Sequence, residues 1–120
     1  MNYFIVGIGG AVGASLRYLI CTVIPYSGGF PLATCLINIV GSFLLAVLLT
    51  SQSLIQNKQL KLLLTTGFLG AFTTFSAFSY ETFTLFHTDS WLAIVYIMIS
   101  ILGGLSASLI GTVLVKGGSL

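Results

Sequence analysis

Residues 65–81 read Thr65-Thr66-Gly67-Phe68-Leu69-Gly70-Ala71-Phe72-Thr73-Thr74-Phe75-Ser76-Ala77-Phe78-Ser79-Tyr80-Glu81 and lie inside an apolar run from Leu60 to Phe86. The run is long enough to cross a bilayer, yet its centre is unlike an ordinary span. Gly67, Gly70, Thr73, Thr74, Ser76 and Ser79 all weaken a helix near mid-membrane depth. Interrupted backbone is tolerated there only where it is buried in protein or lines a wet cavity. A break exposes carbonyl oxygens, which can hold a small cation, and N–H groups, which can face an anion. An unbroken helix whose hydroxyls bond back to their own i−4 carbonyls fits the same residues. The spacing leaves both open.

Outward from this stretch, the composition decides the environment. Only 5% of residues are charged, where a soluble domain carries about 25%. Hydrophobic residues make up 57% and the mean hydropathy is +1.12. Six charged side chains cannot cover a water-soluble globule, so a soluble monomer and a sizeable extramembrane domain are excluded. The chain reads as an all-α integral membrane protein, a single membrane domain over 1–120 with four spans at about 3–24, 31–50, 60–86 and 91–115. Pro25-Tyr26-Ser27-Gly28-Gly29 forms the first loop, Ser51 to Gln59 a polar linker, and His87-Thr88-Asp89-Ser90 a short third loop. Pro31 is expected at the first helical position and Trp91 at the membrane interface. Lys116 with Gly117-Gly118 closes the last span. The opening stretch lacks a basic n-region and a small-x-small cleavage site, so it is expected to be the first span. Lys58, Lys61 and Lys116 fall on one side and at most Arg17 on the other, a bias toward both termini inside the cell.

The inventory of reactive side chains is thin. The chain has one His, one Glu and one Asp, with no zinc-binding HExxH, CxxC or phosphate loop, so enzymatic activity is not expected. A net charge of +2 on scattered residues gives no nucleic-acid footprint. Cys21 and Cys35 could pair, although a small thiol in a membrane helix ordinarily only packs. Gly9 and Gly13, and the stripe Gly103, Ala107, Gly111, let helices approach closely, within a subunit or between subunits. Several residues admit a sharper reading beside a bland one. Phe75 and Phe78 share a face and either pack or turn positive ring edges toward an anion. Asn38, deep in the second span, is interhelical glue or a donor to a permeating anion. Tyr96 and Ser100 align two hydroxyls, and Arg17 either snorkels or acts as a functional intramembrane cation. Donors, one cation and aromatic edges suit a small anion better than a cation.

Three stretches carry a family resemblance. Gly9-Gly10-Ala11-Val12-Gly13-Ala14-Ser15-Leu16-Arg17-Tyr18, Pro31 to Phe43 around Asn38, and Gly67 to Glu81 resemble the first-, second- and third-helix motifs of the Fluc (CrcB) family of fluoride channels. The likeness covers essentially the whole chain, and the third motif is the most specific. It implies an antiparallel (inverted) dimer of four-helix subunits in the cell membrane, with the third helix broken near its middle. It also implies passive export of cytoplasmic fluoride along two narrow pathways and a structural Na+ at the dimer centre. Carried over, Gly70 and Thr73 offer the sodium backbone carbonyls, while Phe75, Phe78 and Asn38 line the fluoride pathway. Ser76, Tyr96 and Ser100 are further pathway candidates, and Arg17 stands at the vestibule. Ala33, Cys35 and Ala71 depart from the family pattern, and Gly104 stands where a hydroxyl would extend the polar track. The partner is thus expected to be a second copy or an unlike paralogous subunit. Two rivals remain: a proton-coupled exporter of the small multidrug type, whose first helix should hold a buried acid that is missing here, and a non-conducting half of a heteromeric complex.

Overall fold

The computed structural model describes residues 1–51 and 56–117, and every regular element among them is helical. The expected linker at 52–55 and the stop at Gly118 lie outside the described residues. The elements are α1 (Asn2–Val23), α2 (Leu32–Thr50), α3 (Lys58–Leu62), a π-helical segment (Leu63–Leu69), α4 (Gly70–Phe72), α5 (Phe75–Thr88) and α6 (Ser90–Val115). Four stretches are long and apolar enough to cross a membrane, the third being Lys58–Thr88. At 1.5 Å per residue the 22 residues of α1 reach about 33 Å, the thickness of a hydrocarbon core.

The third span is broken at its centre. Thr73 and Thr74 are extended, with ψ of 155° and 119°. The Thr73 N–H and hydroxyl both donate to the Leu69 carbonyl, at 3.0 and 2.9 Å, and end α4. Thr74 then caps α5, its hydroxyl accepting the Ala77 N–H at 3.2 Å. Two adjacent β-branched residues with hydroxyls that replace backbone partners favour this stop-and-restart over continuous helix.

Boundaries differ locally from the sequence expectation. Pro31 is the residue before α2, not its first helical residue; its carbonyl accepts the Cys35 N–H. Lys58 and Lys61 are helical, because Asn57 caps α3 by accepting the N–H groups of Gln59 and Leu60. His87 and Thr88 belong to α5, so Asp89 alone separates α5 from α6, and its carboxylate caps α6 at the Leu92 N–H. Both cysteines are free thiols.

Packing joins the helices in two layers. α1 lies along the first half of the third span and α2 along α6. Glycine makes both contacts possible. A Cβ on Gly9 would strike the Leu63 carbonyl, and one on Gly13 the Phe68 carbonyl, so the wide π-helical segment presses its backbone onto α1 where only glycine fits. A Cβ on Gly111 would meet the Phe43 carbonyl at 2.9 Å, and one on Gly103 the Ile39 side chain at 2.7 Å. These small-residue positions serve close approach within the chain. Gly13→Ala should therefore lower the thermal midpoint in detergent by several degrees, reflecting about 1–3 kcal/mol of overpacking against backbone that cannot yield. Gly10→Ala, whose nearest neighbour is the Ala71 methyl at 3.8 Å, should leave the midpoint nearly unchanged.

Candidate functional site

Asn38 organises the break. From the middle of α2 its side-chain N–H donates to the Thr74 carbonyl at 2.9 Å, and its Oδ1 accepts the Thr74 N–H at 2.8 Å. The amide thus replaces both partners that Thr74 lost when the helix broke, satisfying groups that would otherwise be costly in a membrane. Diverting these donors frees two carbonyls. In an unbroken helix the Gly70 carbonyl would accept the Thr74 N–H, which here goes to Asn38. The Thr73 carbonyl would accept the Ala77 N–H, which here goes to the Thr74 hydroxyl.

Arg17 reaches the same place from α1. Its Nε donates to the Ala71 carbonyl at 3.1 Å, setting a cation against the negative C-terminal end of α4. The guanidinium is thereby held beside the break. A cavity of about 240 Å³ opens beside it, lined by Asn38, Gly41, Ser42, Leu45, Thr73, Thr74 and Phe75. Gly41 is required there, since a Cβ would strike the Thr73 methyl. Ser42 donates back to the Asn38 carbonyl at 2.6 Å, and Ser76 lies 3.3 Å from the Thr74 hydroxyl. Phe75 is 79% exposed.

A second polar cluster lies farther along α5. Both oxygens of Glu81 accept hydroxyl bonds at 2.7 Å, one from Thr34 of α2 and one from Tyr96 of α6. Tyr96 is fully buried, and its ring meets Phe30 edge-on at 5.4 Å and Phe78 at 5.2 Å. Phe75 and Phe78 sit 6.0 Å apart, so the paired rings link the two clusters. Ser100 donates to the Cys35 sulfur at 3.7 Å. Of the residues singled out from the sequence, Arg17, Asn38, Gly70, Thr73, Phe75 and Ser76 belong to the break, and Phe78 and Tyr96 to the carboxylate cluster. Ser100 stands one turn along α6 from Tyr96.

Sequence reading passed over Thr34, and it gave Thr74 only a helix-weakening part and Glu81 no role. The carboxylate could have been flagged, because a lone acid in an apolar span must find donors. Nothing in the sequence identifies Thr34 as one of them, since that depends on the packing of α2 against α5.

Comparison with known proteins follows this geometry. Residues 4–112 match the family profile described as "CrcB-like protein, Camphor Resistance (CrcB)". A protein of Ruminiclostridium cellulolyticum named "Fluoride-specific ion channel FluC" is 46% identical over 121 residues, covering 97% of this chain and 93% of that one. One of the same name from Thermosipho melanesiensis is 41% identical over 122 residues, 98% of each. "Fluoride-specific ion channel FluC 2" of Clostridium acetobutylicum is 45% identical over 108 residues, 88% of this chain and 90% of that one.

The latch at Asn38 is open to direct test. Asn38→Ala removes both bonds and leaves the Thr74 N–H and carbonyl unpartnered, which should destabilise the purified protein by about 2 kcal/mol or more. Denaturant titration in micelles measures the loss. An unchanged midpoint would show that the break is held by something other than this amide.

Proposed function

The chain belongs to the CrcB family, and from that premise we propose that it is a fluoride-specific channel that lets cytoplasmic fluoride leave passively down its gradient. The observation that carries the reading is the mid-membrane break at Thr73–Thr74, held open by Asn38 beside a cavity. Fluoride is small and strongly hydrated, so a pathway must replace its water with donors while binding weakly enough to release it. Asn38 has a second amide hydrogen available once the first is given to Thr74. Ser76 and Thr74 share one hydroxyl contact and can turn a proton outward. Phe75 and Phe78 present rings whose positive edges suit an anion too compact to need a wide pore. Among the described residues Ser100 bonds to a thiol, a weak acceptor, so it can be released at little cost. Tyr96 contributes its ring, because its hydroxyl is committed to Glu81. Arg17 places a fixed positive charge where the ion approaches.

Phe75 and the cavity at the break lie on the surface of the single chain, which supports completion of the pathway by a second subunit. An antiparallel arrangement of two copies, or of this chain with an unlike paralogue, brings two such faces together; the numbered name of the Clostridium relative is in keeping with either. The residues at the break also fit a structural sodium ion. The carbonyls of Gly70 and Thr73 have lost their helical donors, and unwound carbonyls are suitable ligands for that hard cation. When bound, Na+ would supply positive charge that holds the two breaks together.

Efflux from liposomes containing only this chain, with valinomycin and potassium to cancel charge build-up, tests the function. Fluoride should leave rapidly and chloride should not. Proton-driven export of a lipophilic cation would establish the multidrug alternative instead. Phe78→Ile should slow fluoride release by about tenfold or more, the loss of a ring contact worth ~1.4 kcal/mol in the barrier, with folding intact. Exchange into sodium-free buffer should shift the purified protein toward monomer; an unchanged dimer would remove the central-ion reading.

A further inference from the structure

We propose that Glu81 is a positioning residue for selectivity: through the Tyr96 hydroxyl it fixes the ring of Phe78 in the orientation that the anion meets. The inference rests on the channel reading for its consequence, but its geometry stands by itself.

Helix α5 is weakly anchored. Leu85 is the only one of its residues that is buried. Glu81 is its side-chain polar tie to α2 and α6, bonded at 2.7 Å to a hydroxyl on each. Short O–H···O contacts to an ionised carboxylate are about twice as strong as neutral ones, and more so where water is excluded. The two bonds have different consequences. Thr34 ties the carboxylate to α2, its hydroxyl standing beside that of Tyr96. Tyr96 continues into a closed circuit: its hydroxyl holds Glu81, its ring contacts Phe78 at 5.2 Å, and Phe78 precedes Glu81 by three residues on the same helix face. Phe30 meets the other side of Tyr96 edge-on at 5.4 Å, and Tyr96 has no exposed surface. The bond to Glu81 therefore keeps the tyrosine side chain from swinging about χ1, and packing between Phe30 and Phe78 restricts its ring, so Phe78 leans on a tyrosine held in place. Phe75 is 79% exposed in the chain and has no comparable brace. Of the two paired rings, Phe78 is thus the one whose edge the protein itself orients. A carboxylate beside an anion pathway is otherwise unfavourable, and capping both its oxygens with hydroxyls directs its acceptor capacity toward the scaffold.

The experiment compares full-length Glu81→Gln, Tyr96→Phe and Thr34→Val proteins in liposomes, measuring fluoride and chloride release, alongside each protein labelled with 4-fluorophenylalanine at position 78 for fluorine NMR in micelles. Glu81→Gln and Tyr96→Phe should each lower the fluoride-to-chloride ratio by about tenfold, the scale of one charge-assisted hydrogen bond, and should shift and broaden the position-78 resonance. Their double variant should be no worse than either alone, because both cut the same bond. Thr34→Val, which leaves the Glu81–Tyr96 bond in place, should lower thermal stability and move the ratio and the resonance less than either. A purely structural role predicts that all three variants lose stability alike, with ratio and resonance unchanged in the folded fraction; that outcome overturns the proposal. If the unaltered protein releases no fluoride, alone or co-expressed with a paralogous subunit, the channel reading fails, and the resonance still decides whether Glu81 orients Phe78. A variant that does not fold is replaced by Glu81→Asp, which should restore the resonance in part if the carboxylate is what matters.

Discussion

A backbone break at the centre of a membrane span must find partners for its own N–H and C=O groups, and the side chain of Asn38 supplies both for Thr74. The rest of the structure is arranged around that exchange. Gly41, one turn later on α2, leaves room for the Thr73 methyl so that α2 can bring Asn38 within reach. Gly9 and Gly13 let α1 lie flush on the π-helical segment, which carries Arg17 to the Ala71 carbonyl at the end of α4. The latch also explains how a polar centre survives in so apolar a chain: Asn38, Arg17 and the Thr74 hydroxyl bond to backbone groups that the break itself released.

The two halves of the third span differ in how they are held. The first half is fixed by backbone-to-backbone proximity with α1, a contact with little tolerance for change. The second half, α5, is fixed by side chains, chiefly the Glu81 carboxylate and the rings of Phe78 and Tyr96. Close-packed backbone on one side of the break and an aromatic face held by side chains on the other suit a pathway that must strip water from a small anion yet let it leave. The cavity lies between these regimes and is open on the single chain.

The sharper and blander readings of individual residues do not exclude one another once the geometry is seen. Asn38 is interhelical glue, and it is glue placed at the break, with one amide hydrogen to spare. The threonines that could bond back to i−4 carbonyls do so at Thr65 and Thr73, and the helix still breaks at Thr73–Thr74. The small-residue stripes on α1 and α6 bring helices of the same chain together. Tyr96 and Ser100 share a helix face as their spacing requires, but their hydroxyls have different obligations, one to a carboxylate and the other to a thiol.

The sequence by itself determined the solvent, the number of spans, the family and the stretch where the third span departs from plain helix. Each is a local or compositional property: hydrophobic run length, charge scarcity, motif order, and helix-weakening residues gathered near one point. It left open whether that stretch breaks, since Thr and Ser hydroxyls are equally compatible with an intact helix. Only the tertiary structure decided this, because the break is stable where Asn38, 36 residues away in the chain, takes over the hydrogen bonds that the helix gives up. The partners of Glu81 were hidden for the same reason. A lone acid in an apolar span announces that it needs donors, but which hydroxyls answer depends on how α2 and α6 pack around α5.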